Sequence, residues 1–138
     1  RAVSDGDHYV VNGSKIWTSM AHDATHIYVL ARTDKAAKKK QEGISFFLVD
    51  MKTPGITLRT IRNIAGHEEF CQVFFDNVRT PKENLVGELH KGWTIAKGLL
   101  GFERLNIGSP RRPLQAMEKL EMLAQARGLM ADPAFVER

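Results

Sequence analysis

The sequence lacks several features that mark whole classes of protein. Its only cysteine, Cys71, cannot form a disulfide within the chain, which is typical of proteins from reducing compartments. No apolar run approaches the ~20 residues that a membrane-spanning helix requires, and no secretory signal is visible. The segment His67-Glu68-Glu69 lacks the second histidine of a zinc-binding helix, and no glycine-rich phosphate-binding loop occurs. We therefore expect neither a disulfide-stapled domain nor a membrane span nor a metal site.

The charge is also too balanced for a nucleic-acid-binding protein. Twenty basic and 16 acidic residues are interspersed and leave a net charge of +4, which is compatible with an anionic ligand. The length of 138 residues and the apolar content of 43% suit an ordinary globular domain. Because the chain opens on Arg1 and stops at Glu137-Arg138 within a predicted helix, we expect a piece of a longer protein.

The first part of the chain has the short apolar alternation of β-strands separated by turn residues. The segment 26–32 is apolar on both faces, which predicts a central strand. The predicted strands are 2–4, 8–11, 14–19, 26–32, 44–50, 56–62 and 70–76. Their close spacing predicts an antiparallel β-barrel or two-sheet sandwich of six to seven strands.

Asn12-Gly13 is a strong two-residue hairpin signal, because a type I′ turn needs positive φ at both central residues. In the strand that follows, alternation places Lys15, Trp17 and Ser19 on one face and Thr18 on the other. An aromatic plane and a hydroxyl two residues apart can form one wall of a site for a flat, hydrogen-bonding ligand. The alternative is a tryptophan at the edge of a β core.

After residue 87 the apolar period changes from two to about 3.6, which predicts helices over 92–108 and 113–127. Gly128 suits the end of the second helix, and Asp132-Pro133 suits the start of a third. The apolar stripes have little to cover them within the chain, which indicates the start of an incomplete helical bundle. We therefore expect a β domain over 1–88 and a partial helical domain over 89–138.

Several stretches together resemble the acyl-CoA dehydrogenase family, in its central β-domain and the start of its C-terminal helical domain. In chain order they are GDHYVVNGSKIWTS (6–19), ARTD (31–34), GISFFLVD (43–50), TPG (53–55), VFFDNVR (73–79), PKENLVG (81–87) and GWTIAKGLLGFER (92–104). Each is modest alone, but their order over most of the chain makes the resemblance specific.

The resemblance implies a flavoenzyme that uses FAD to desaturate acyl-CoA thioesters between the α and β carbons. It implies that Trp17 packs beside the flavin ring, that Ser19 hydrogen-bonds the reactive edge of the ring, and that Thr18 contributes through its backbone. Arg104 matches a position that contacts the acyl-CoA. Since the family's serine-containing loop before this region is absent and 109–113 interrupts its long helix, the fragment alone is expected to be inactive.

Glu103 lies on the same predicted helical stripe as Leu100 and Ile107, which is unusual for an acid. In a minority branch of the family, similar to the isovaleryl- and long-chain-specific enzymes, the catalytic base occupies this position. In most of the family the base lies further along the chain. The alternative is a structural acid paired with a base on a missing helix.

Two further readings concern the ligand contacts. Gly98, Gly101 and Gly108 in one helix suggest the close approach of a ligand or of another element, since each glycine costs a helix about 1 kcal/mol relative to alanine. The run 38–40, three lysines in a loop, is either a contact for the CoA phosphates or a solvated surface.

The resemblance also implies partners. It predicts electron transfer to an electron-transfer flavoprotein, a homo-oligomeric full-length protein, and a place in the bacterial cytoplasm or the mitochondrial matrix. An acyl-CoA oxidase on the same fold and a β-barrel interaction module that binds nucleic acid are the alternatives. Adjacent aromatic pairs such as Phe46-Phe47 favour a core over a nucleic-acid surface.

Overall fold

The structure, a computed structural model, describes residues 1–136. The chain divides into two compact units, Arg1–Leu99 and Leu100–Arg138. The predicted domain boundary after residue 88 lies between the last strand, which ends at Val86, and the first helix, which begins at Gly92. It remains a prediction.

The first unit is built from antiparallel strands. In residues 1–136 they are β1 Ala2–Asp5, β2 His8–Ser19, β3 His26–Arg32, β4 Ile44–Asp50, β5 Ile56–Ile61, β6 Phe70–Pro81 and β7 Leu85–Val86. One sheet has the order β1-β2-β6-β5 and the other the order β3-β4-β7. The two-sheet arrangement predicted from the alternation is confirmed, and the described strands do not close into a barrel.

The core lies between the inner faces of these sheets. Fully buried side chains come from both of them, with Val11 and Val73 on the first and Val29 and Phe47 on the second. Tyr9 packs on Phe47 with ring centroids 5.0 Å apart. Large apolar side chains facing one another across two sheets provide most of the free energy that holds such a sandwich together.

The Asn12-Gly13 hairpin prediction is wrong, because both residues lie inside the continuous strand β2. Val11 pairs with Val78 and Gly13 with Phe75, so Asn12 opposes two residues of β6. The Asn12 side chain accepts from the amide of Asn77 at 2.9 Å and donates to the Asn77 side chain at 3.2 Å. The pair that usually makes a tight turn here supports a bulge in the partner strand.

The prediction that 26–32 is a central strand is also wrong. β3 lies at the edge of its sheet and pairs only with β4 among the described strands. Its second apolar face is partly open, with Tyr28 52% exposed and stacked on Phe46 at a centroid distance of 5.2 Å. Apolar residues on both faces therefore reflect stacking between neighbouring side chains on the outer surface of the sheet.

Helix α1, Gly92–Ile107, begins against the second sheet. A Cβ on Gly92 would lie 2.5 Å from backbone atoms of Ser45 and Phe46, so only glycine fits there. The buried Ser45 hydroxyl accepts from the His90 amide at 2.8 Å, and Thr33 Oγ1 lies 2.8 Å from His90 Nδ1. The helix start is therefore fixed by close backbone packing and a small polar network.

The second unit contains the rest of α1 together with α2, Arg111–Ala126, and α3, Pro133–Val136. The helix predicted from Pro113 begins two residues earlier, because Pro113 fits the first turn, where its missing N–H is not needed. Gly128 has φ +70° and Asp132 accepts from the amide of Ala134, which confirms both predicted helix boundaries. The predicted continuation through Glu137-Arg138 lies outside the described residues.

Candidate functional site

A β-bulge shapes the end of β2. Lys15 pairs with Val73 and Thr18 pairs with Cys71, so that Ile16 and Trp17 together oppose one residue of β6. Trp17 has φ +63°, a left-handed backbone conformation that is uncommon for a bulky residue. Such strain persists only where the surrounding structure holds it, and it is concentrated at functional positions.

The bulge changes which side chains share a face, and part of the alternation prediction is therefore wrong. Residues directly opposite one another in an antiparallel pair lie on the same face. Lys15 pairs with the fully buried Val73 and so faces the core, while Ser19 pairs with the partly exposed Phe70. Thr18 faces the core with Cys71, opposite to Ser19, as predicted.

Trp17 presents its indole on the outer surface of the first sheet. Its side chain is 62% exposed and contacts Phe70 edge-on, with ring centroids 6.1 Å apart and planes at 79°. Since Ser19 pairs with the same Phe70, the indole and the hydroxyl lie on one surface even though the strand does not alternate regularly. An exposed aromatic plane next to a hydroxyl can bind a flat ring and hydrogen-bond its edge.

Two contacts hold the bulge at its ends. Beyond Ser19, the amide of Met20 donates to the Glu69 carbonyl at 2.7 Å. Before the bulge, Lys15 Nζ donates to the Leu30 carbonyl of β3 at 2.8 Å, so its side chain joins the two sheets. Although Lys15 as a whole is exposed, burial around its ammonium lowers the pKa of that group below 10.5.

Glu103 and Arg104 lie in the second unit, and both are exposed. The helical stripe on which Glu103 is predicted to lie is largely open as well, with Leu100 46% and Ile107 85% exposed. The described residues therefore do not bury Glu103. Its role as a base and the role of Arg104 toward acyl-CoA remain predictions.

Comparisons with known proteins agree on one family. The middle domain of acyl-CoA dehydrogenases matches residues 1–78. The chain belongs to the acyl-CoA dehydrogenase family.

Related sequences and structures agree with this assignment. The acyl-CoA dehydrogenase IpdE1 of Mycolicibacterium smegmatis is 40% identical over 133 residues, which is 95% of this chain and 34% of that protein. The short-chain specific mitochondrial acyl-CoA dehydrogenase of Rattus norvegicus is 39% identical over 110 residues, 78% of this chain and 26% of its own length. The structure titled Tcur3481-Tcur3483 steroid ACAD G363A variant superposes with a TM-score of 0.79 at 32% identity, covering 96% of this chain and 35% of that one. The chain thus spans about a third of the length of such relatives.

The sequence predicts the close approach of a ligand or of another element at Gly98, Gly101 and Gly108, and the approach of a ligand stays a prediction. A Cβ on Gly98 or Gly101 would meet nothing within 4 Å, and one on Gly108, just past the end of α1, would lie 3.1 Å from the Arg104 carbonyl. No close crossing of α1 at these glycines is found in the part of the chain that the structure describes.

The lysine run of the loop after β3 is exposed at 38–40. Lys39 pairs with Glu42 at 3.4 Å, and the Arg32 guanidinium donates to the carbonyls of Lys40 and Glu42. The alternatives of a phosphate contact and a solvated surface both remain open. Arg32 is not among the site residues predicted from the sequence. An arginine at the end of a strand, before a long polar loop, is nevertheless well placed to hold that loop by donating to its carbonyls.

A cavity of about 280 Å³ lies beside the end of β6, away from the bulge at Trp17. Its lining includes His8, Asp50 and Asn84, together with Thr80, whose side chain is buried. Thr80 Oγ1 has no hydrogen-bond partner among the described residues.

Over the same described residues, no helix has the length and apolarity to cross a membrane, and no cluster of side chains suits a metal ion.

Proposed function

We propose that this chain is part of an FAD-dependent acyl-CoA dehydrogenase that introduces a double bond between the α and β carbons of an acyl-CoA thioester. The observation that carries the proposal is the bulge of β2, which presents the Trp17 indole and the Ser19 hydroxyl on one outer surface. Membership of the family and the agreement along most of the chain support it.

Trp17, Thr18 and Ser19 have separate tasks in this proposal. The Trp17 indole packs against one side of the isoalloxazine ring and excludes water from it, because its exposed face is large and apolar. The Ser19 hydroxyl hydrogen-bonds the ring edge. Thr18 faces the core with Cys71, so its contribution comes from its backbone groups. When bound, FAD supplies the acceptor for the hydride that leaves the β carbon.

The second unit carries the proposed substrate contacts. The Arg104 guanidinium binds the acyl-CoA, and the Glu103 carboxylate removes the proton from the α carbon. Both side chains are exposed and therefore accessible to a ligand. The whole protein passes its electrons to an electron-transfer flavoprotein and assembles into a homo-oligomer.

The test uses the full-length protein that contains this chain, loaded with FAD. Trp17→Ala is expected to weaken FAD binding about tenfold, because an aromatic contact contributes ~0.5–1.5 kcal/mol beyond the area that it buries. Trp93→Phe is the control, since Trp93 lies on α1 and outside the bulge. Ser19→Ala is expected to leave FAD binding intact and to change the rate at which acyl-CoA reduces the flavin.

Absorbance and equilibrium dialysis measure the bound FAD, and stopped-flow spectroscopy measures its reduction. If Trp17→Ala and Ser19→Ala both bind FAD and turn over like the unmodified protein, the assignment of this surface to the flavin is wrong. Transfer of the electrons to oxygen instead of to electron-transfer flavoprotein would identify an oxidase.

A further inference from the structure

The two sheets of the first unit face each other without a closed ring of hydrogen bonds in residues 1–136, which leaves a seam between β2 and β3. A small cavity of about 50 Å³ lies along this seam, lined by Arg1, by 11–15 of β2 and by 29–31 of β3. The edge strand β3 has backbone groups that β4 does not satisfy on this side.

Lys15 spans the seam at the point where the bulge begins. Its Nζ donates to the Leu30 carbonyl at 2.8 Å, and its backbone pairs with Val73, the last regular pair before Ile16 and Trp17. Burial lowers the pKa of this ammonium, so the charge is held partly out of water. Hydrogen bonds from a charged donor are roughly twice as strong as neutral ones.

We propose that Lys15 is a positioning residue that fixes the outward orientation of Trp17 by tying the start of the bulge to the edge strand of the opposite sheet. Trp17 is in a strained backbone conformation at φ +63°, and it can relax unless both ends of the bulge are held. The far end is held by the Met20 amide on Glu69, and the near end by Lys15 on Leu30.

The consequence for the flavin rests on the function proposed above. In a looser bulge the Trp17 indole would adopt several orientations, so that the flavin ring would not pack against one fixed surface. Lys15 thereby affects the cofactor without touching it, through the geometry of a residue two positions away. This role can be distinguished from a purely structural one, because loss of Lys15 is expected to change the orientation of the Trp17 indole more than the stability of the sheets.

The first experiment reads the bulge directly. In the Trp93→Phe background Trp17 is the only tryptophan of the 138-residue chain, so its indole N–H gives one resonance in a ¹⁵N–¹H spectrum. Lys15→Met keeps the length of the stem and removes the donor, Lys15→Arg restores a donor, and Lys52→Met is the control for loss of an exposed lysine. Lys15→Met is expected to shift the indole resonance and to speed exchange of the Thr18 and Met20 amides about tenfold. Lys15→Arg and Lys52→Met are expected to leave both close to the starting values.

An unchanged indole resonance and unchanged exchange in a folded Lys15→Met chain would overturn the proposal, as would an equal change in Lys52→Met. If Lys15→Met does not fold, the Lys15→Arg spectrum decides, since a guanidinium that fails to restore the indole position is incompatible with a tie by donation alone. In the FAD-loaded full-length protein, Lys15→Met is expected to alter the flavin absorbance envelope in the same direction as Trp17→Ala. A flavin that responds to Trp17→Ala and not to Lys15→Met contradicts the positioning role, whereas a flavin that responds to neither contradicts the proposed function.

Discussion

Single side chains in this structure have roles that depend on the backbone that carries them. Trp17 is exposed because two residues of β2 oppose one of β6, and Asn12 lies within a strand because its amide fits a bulge opposite. Residue-level function is therefore tested here by substitutions that keep the backbone path.

The first residue-scale prediction concerns Glu103. If its carboxylate is the base, Glu103→Gln in the full-length protein keeps FAD and acyl-CoA binding and slows flavin reduction about a hundredfold or more. Glu118→Gln on α2 is a control that removes an exposed helical acid of the same unit. Stopped-flow reduction by acyl-CoA provides the measurement. Reduction at the unmodified rate would show that the base lies elsewhere and that Glu103 is a structural acid.

The second concerns the pH dependence of stability that Lys15 introduces. Burial lowers the pKa of its ammonium below 10.5, so the folded state releases this proton at a lower pH than the unfolded state does. Between the folded pKa and 10.5 the unfolded state holds more protons, and stability therefore rises with pH in that window. The free energy of unfolding of the unmodified chain minus that of Lys15→Met is expected to increase as pH approaches 10.5, measured by urea titration. A constant or falling difference would exclude a desolvated ammonium.

Elements divide into those that the sequence pattern predicts well and those that depend on distant pairing. The strands β1, β3, β4 and β5, the start of α1 and the cap at Gly128 follow from alternation, a change of period and a glycine at a helix end. The two bulges were missed because a bulge is defined by the partner strand, and β2 and β6 are about 60 residues apart in the sequence. The same non-local pairing explains why 26–32 was placed in the centre of a sheet and is found at an edge.

Two glycines of α1 allow a prediction at the element scale. Gly92→Ala is expected to destabilise the first unit by about 1–3 kcal/mol, because the new Cβ would lie 2.5 Å from backbone atoms of Ser45 and Phe46. Gly98→Ala meets nothing within 4 Å and is expected to stabilise the helix by about 1 kcal/mol. Urea unfolding of both variants checks the pair. Equal effects of the same sign would mean that the helix start is not held against β4.

At the scale of the whole molecule, the two compact units differ in how much apolar surface each buries. The first contains a contiguous buried cluster that includes Phe47 and Val73, whereas Ala124 is the buried hydrophobic residue of the second among the described residues. On α2, Leu114, Met117 and Leu120 are each more than half exposed. Because the apolar faces of the described helices are open, Glu103 and Arg104 are predicted from the family resemblance and not from their surroundings.

This difference predicts separate local stabilities. Amide exchange in β6, for example at Val73, is expected to require opening of the sheet core, whereas amides of α2, for example at Leu120, are expected to exchange through local opening and hence much faster. Exchange followed by mass spectrometry on the 138-residue chain gives both rates. Protection of α2 equal to that of β6 would show that the helices are held by more than the burial described here.

The bulges in β2 and β6 can also be read as single-codon insertions into a regular ladder. On either side of Ile16 and Trp17 the flanking pairs Lys15–Val73 and Thr18–Cys71 are already those of a ladder with one residue fewer. An in-frame deletion of Ile16 would therefore leave both pairs in place and keep the register of the rest of the sheet. The deletion would remove the left-handed backbone conformation at Trp17. A library of such deletions would therefore distinguish the codons needed for the sandwich from the codon that sets the orientation of this tryptophan.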